Sequence, residues 1–200
     1  VLDETNRPDR GTRLVRFEHN GSLTVLAEQA NGKQLNGPND MVVHPNDKSI
    51  WFTDPGYGSI NLYEGQNVKN GSNQPFQKEA VYRVDAQTGQ VTKVADDPFK
   101  PNGIAFSHDY KKVYVCDTGI THYPNSKNIV WQYDLNGDKL SNPRTFADMT
   151  LDGKSGFPDG LRVEQLRDRQ RKVLGAHIQR FADLFDALTG LLLDRGEQVL

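Results

Sequence analysis

Two hundred residues with a formal net charge of −2 and 36% hydrophobic side chains give a domain-sized chain with no electrostatic pull toward nucleic acid or an anionic membrane. A single cysteine, Cys116, excludes an intrachain disulfide and a zinc–thiolate cluster, and no run approaches the roughly 18 apolar residues of a membrane span. The 18 Gly and 10 Pro, with many Asn and Asp, suit an all-β chain full of tight turns. Residues 1–13 are charged and hold no apolar run, so no signal peptide is expected there, and nothing singles out cytoplasm or periplasm.

Taken in chain order, Leu14–Phe17 and Leu23–Leu26 flank His19-Asn-Gly21 and predict a hairpin. Pro38-Asn-Asp-Met-Val-Val-His44 follows and leads into a β-rich run ending at Asp54. Asn61–Lys78 is a polar insertion, expected as a surface loop near the mouth of a channel. Val81–Val84 and Val91–Val94 around Thr88-Gly89 form a second hairpin signal. Pro101-Asn-Gly-Ile-Ala-Phe-Ser107 then repeats the earlier unit, and Asp117 closes its second strand as Asp54 closes the first. A third hairpin lies around Ile129–Tyr133 and Asn136-Gly137, and Pro158-Asp-Gly-Leu-Arg-Val163 opens a third copy of the unit.

These units alternate into four-strand modules about 60 positions apart, the signature of propeller blades. Residues 1–163 are therefore expected to hold the outer two strands of one blade, two complete blades and the first strand of a fourth. Residues 164–200 change character. Leu174, Ile178, Phe181, Phe185, Leu188 and Leu192 fall at helical spacing with Arg180, Asp183 and Asp186 between them. That pattern predicts an amphipathic helix over about 164–188, covering the propeller fragment or pairing with a second chain.

The innermost strand of a blade runs along the central channel, so the residue that opens it can point at the axis. Asn39, Asn102 and Asp159 hold that place in three successive units. Any one of them reads as an ordinary turn former; three in register predict a shared site. Two amide carbonyls and a carboxylate suit Ca²⁺, Mg²⁺ or Mn²⁺ more than a soft metal. Asp54 and Asp117 are expected to cap loops, Cys116 to be packed, and His44, His108 and His122 to be solvated. Ser107 and Ser155 lie in no nucleophile elbow, which argues against a serine hydrolase.

The same motifs carry a resemblance. Leu35-Asn-Gly-Pro-Asn-Asp40, Trp51-Phe-Thr-Asp-Pro-Gly-Tyr-Gly58, Lys100-Pro-Asn-Gly-Ile-Ala-Phe-Ser107 and Phe157-Pro-Asp-Gly-Leu161 resemble the gluconolactonase/regucalcin family, over about residues 12–163. The resemblance implies a six-bladed propeller that opens small-molecule lactones with one divalent cation in its channel, Ca²⁺ foremost and Mg²⁺, Mn²⁺ or Zn²⁺ as alternatives. It matches Asn39, Asn102 and Asp159 to metal-ligand positions, and Asp159 also to the carboxylate that activates water. Tyr57 is placed at the substrate mouth by position alone. The fourth ligand implied by the resemblance is a Glu in the first blade, which neither Glu18 nor Glu28 matches. The alternative is an inactive truncated or fused propeller fragment that associates through its helical tail. Neither nucleic acid nor membrane is an expected partner.

Overall fold

A computed structural model describes residues 2–3, 12–57, 77–121, 123 and 126–163. Most of the polar insertion, His122 and the helix expected after Val163 lie outside the described residues. Residues 1–163 form a unit separate from residues 164–200.

The first unit is all-β. Strands β1 (Leu2–Asp3), β2 (Arg13–Phe17) and β3 (Leu23–Ala27) form an antiparallel sheet in that order. A small hairpin, β4 (Gln29–Ala30) with β5 (Lys33–Gln34), leads out of it. Next comes a four-stranded antiparallel meander of β6 (Met41–Val43), β7 (Ile50–Asp54), β8 (Ala80–Val84) and β9 (Val91–Ala95). A second meander repeats it with β10 (Pro101–Phe106), β11 (Lys112–Thr118), β12 (Asn128–Asn136) and β13 (Lys139–Asp148). A last short hairpin pairs β14 (Thr150–Leu151) with β15 (Lys154–Ser155).

The turns form where the local chemistry calls for them. Between β8 and β9, Asp85 accepts the N–H groups of Gln87 and Thr88 at 3.0 and 2.9 Å, and Gly89 supplies the positive φ of 70°. Between β12 and β13, Gly137 does the same at 64°.

The sheets stack face to face, and strand alternation decides what each face contributes. Phe52, Ala80, Tyr82 and Val84 pack with Leu14 and Ala27 of the preceding sheet, with Ala30 of the small hairpin and with Leu35 just after it. Trp51 and Val81, from the same two strands, face the other way onto Ile104, Phe106, Val113, Val115 and Tyr133. Strands β7 and β8 are thus covered on both faces, which is why Ala-Val-Tyr-Arg-Val is buried throughout rather than alternating. Trp51 meets Phe106 edge to face at 5.8 Å between the sheets.

Two departures from expectation stand out. The first sheet holds a third strand, Leu2–Asp3, that its two-residue length hides from periodicity. Residues 158–163 follow the second meander at the expected place but form no ladder there; Gly103 N–H donates to the Asp159 carbonyl at 3.0 Å.

Candidate metal centre

Each inner strand is entered through a loop whose amides are gathered by an aspartate from the neighbouring strand. The fully buried Asp54 accepts the N–H groups of Asn36 and Gly37 at 3.0 and 2.8 Å. Asp117 repeats this one module later, accepting Phe99 and Lys100 N–H at 3.0 and 2.9 Å, with Gly119 N–H and the Trp131 indole also on it at 3.0 Å. The expected capping role is what the structure shows for both. Burial pushes the Asp54 carboxyl up to about 6, against the pull of its two N–H donors and of Lys100. The two aspartates thus hold the turns that lead into β6 and β10.

Hydrogen bonds of the main chain and of the Thr53 hydroxyl then join the three sequence-predicted positions in series. Asn39 N–H donates to the Thr53 carbonyl at 2.9 Å. The Thr53 hydroxyl accepts from Asp40 N–H at 3.0 Å and donates to the Asn102 carbonyl at 2.7 Å. The Asp40 carboxylate accepts Ile104 N–H at 2.9 Å. Beyond Asn102, Gly103 N–H donates to the Asp159 carbonyl at 3.0 Å. A Cβ at Gly103 would stand 2.2 Å from that carbonyl oxygen and 2.7 Å from Leu161 N. Only glycine admits this approach, so the Asn-Gly pair that sequence reads as a turn former is here a close crossing of backbones.

Asn102 is buried, Asn39 half-buried and Asp159 exposed. Among the described residues, neither the Asn102 amide nor the Asp159 carboxylate is engaged in a side-chain hydrogen bond. No three His, Cys, Asp or Glu side chains among the described residues are grouped to hold a metal ion. Any ion here therefore needs the amide carbonyls, and the donor set fits a hard divalent cation. A cleft of about 280 Å³ runs between Asp40–Val42, Ile104–Phe106 and Leu161–Val163.

Cys116 is fully buried, and burial with the nearby Asp159 and Asp40 carboxylates raises its thiol well above the ordinary range. It is packed, as expected, and unreactive as a thiolate. His44 corrects its expectation. Only 15% of its side chain is exposed; it stands edge-on to Phe106 and Tyr110 at 5.2 and 5.5 Å, with Asp47 3.1 Å from Nδ1. Apolar ring neighbours outweigh hydration there. His108 is exposed, as expected.

Sequence reasoning missed a buried ionic cluster beside the centre. Lys100, two residues before Asn102, is 1% exposed and donates to the Pro55 carbonyl at 2.7 Å and to Glu79, itself 3% exposed. Tyr123 hydroxyl donates to the other Glu79 oxygen at 2.5 Å. The ammonium lies 5.0 Å from the Tyr57 ring centroid and 5.6 Å from that of Tyr123. Tyr57 is buried, its hydroxyl 2.5 Å from Thr118 Oγ1, so it walls the lysine pocket. Burial pushes Glu79 up and Lys100 down, each opposed by its partner. Glu79 lies just past the polar insertion, and no spacing rule links it to Lys100.

Stacked four-stranded meanders with aligned inner strands and an oxygen-rich end define a propeller-like all-β protein. The family model described as SMP-30/Gluconolactonase/LRE-like region matches residues 9–171, and the chain belongs to that family. It is 30% identical over 164 residues to a gluconolactonase of Zymomonas mobilis, covering 78% of this chain and 42% of that protein. A lactonohydrolase of Aspergillus oryzae is 35% identical over 102 residues, 50% of this chain and 21% of its own. The solved gluconolactonase of Xanthomonas campestris superposes with a TM-score of 0.62 at 29% identity, over 80% of this chain and 46% of that one. The chain thus spans less than half the length of the relatives it matches.

Proposed function

We propose that residues 36–163 form part of the catalytic wall of a divalent-metal-dependent sugar lactonase built as a six-bladed propeller. The observation that carries this reading is the hydrogen-bonded series from Asn39 through Thr53, Asn102 and Gly103 to Asp159, which links the corresponding Pro-Asn, Pro-Asn and Pro-Asp segments of three successive modules. Asn39, Asn102 and Asp159 would hold the ion through oxygen, leaving open positions toward the channel. When bound, a divalent cation supplies Lewis-acid polarisation of a lactone carbonyl. Asp159 takes the proton from the attacking water as general base. The water oxygen bonds to the carbonyl carbon, the ring C–O bond breaks, the ring oxygen takes the proton back from Asp159 to leave as a hydroxyl, and the product is a hydroxy acid. Names of relatives that act on lactones support this substrate class. We further propose the helix over about 164–188 as a cover for apolar surface or a self-association element.

The test is hydrolysis of D-glucono-δ-lactone followed by proton release. The expected outcome is turnover that disappears in EDTA and returns with excess Ca²⁺ or Mn²⁺. EDTA-resistant turnover would remove the metal from the account. No turnover with any divalent ion would favour the inactive-fragment reading.

A further inference from the structure

We propose that Thr53 is a positioning residue for the candidate metal centre, its hydroxyl setting the separation of Asn39 and Asn102. This rests on the reading of Asn39, Asn102 and Asp159 as ligands. Thr53 is 0% exposed and engages both ligand-bearing segments at once. Its main chain forms a reciprocal pair with the first: the carbonyl accepts Asn39 N–H at 2.9 Å and the N–H donates to the Asp40 carbonyl at 3.0 Å. Its hydroxyl accepts from Asp40 N–H at 3.0 Å and donates to the Asn102 carbonyl at 2.7 Å. The side chain is therefore a single-atom bridge between the residue after one candidate ligand and the backbone of the next.

An ion held at about 2.3–2.6 Å tolerates little drift in its ligands, so a bridge of this kind acts on affinity. The next module shows what the bridge adds. Cys116 stands where Thr53 stands, fourteen positions after the strand-opening residue. A thiol is a weak donor, and there the following segment is held instead by Gly103 N–H on the Asp159 carbonyl. Asp40 N–H has no such second role, since it is directed at the Thr53 hydroxyl.

The experiment compares the full chain with T53V and T53S by calorimetric titration with Ca²⁺, and by thermal unfolding of the ion-free proteins. Valine keeps the shape and removes the bridge; serine keeps the hydroxyl. The expected result is Ca²⁺ affinity lowered about 10–100-fold in T53V, the range for outer-shell partners of metal ligands, and restored in T53S, while the ion-free melting temperatures of the two variants agree. Parent-like affinity in T53V overturns the proposal. So does a T53S variant that binds as poorly as T53V, and if T53V fails to fold, weakened binding by T53S alone overturns it. If the parent takes up no Ca²⁺, the ligand assignment itself fails and this inference falls with it, an outcome distinct from parent binding that T53V leaves unchanged.

Discussion

Replacing Lys100 with Met lowers the unfolding free energy by about 3–5 kcal/mol, because one half of a buried ion pair is removed and the other is left uncompensated. Glu79 would remain 3% exposed with its Tyr123 hydrogen bond and no cation, and the Pro55 carbonyl would lose its donor. Methionine fills much of the lysine stem, so the loss reports charge and hydrogen bonding more than a cavity. Denaturant unfolding of K100M and of K100M/E79Q separates the contributions: the double variant, relieved of the stranded carboxylate, should recover part of the loss. A K100M cost below about 1 kcal/mol, the range of exposed pairs, would mean that the pair is solvated. The cluster matters beyond stability, since Lys100 leads directly through Pro101 into Asn102.

Asp159→Asn is expected to reduce turnover of a sugar lactone by about 10²–10⁴-fold, the usual contribution of a positioned general base. Asparagine keeps the size of the side chain and one carbonyl oxygen, and loses the ability to accept a proton. The exposed Asp159 side chain forms no hydrogen bond among the described residues, and its link to Gly103 is through the main chain, so the melting temperature of the ion-free variant should match the parent's. A kcat drop without destabilisation is the expected pair of results. Parent-like kcat would exclude Asp159 as the base, and equal losses in stability and rate would make its role structural.

The architecture was legible because its signals are local or repeated. Gly21, Gly89 and Gly137 mark hairpin turns by the φ they must adopt, and the recurring Pro-Asn units align β6 with β10. Asp54 and Asp117 could be read as caps because each stands fifteen positions after the residue that opens its module's inner strand. What sequence did not disclose depends on contacts between modules. Gly103 looks like half of a turn dipeptide until the backbone of Asp159 is beside it. Lys100 was a letter in a motif until Glu79, across the polar insertion, closed a buried pair with it. His44 reads as solvated in sequence because its ring neighbours, Phe106 and Tyr110, come from the next module. Leu2–Asp3 is too short to carry a period, and Val1 and residues 164–200 lie outside the described residues.

The candidate centre joins both kinds of inference: repetition nominated Asn39, Asn102 and Asp159, and the contacts of Thr53 and Gly103 link the segments that carry them. Diffraction from crystals soaked in Mn²⁺, with an anomalous difference map at the manganese edge, tests that claim most directly. The account predicts one dominant peak within about 2.6 Å of side-chain oxygens of all three residues, a separation typical of hard divalent ions on oxygen ligands. A dominant peak elsewhere, or a fully soaked crystal with no density among these three residues, would contradict it.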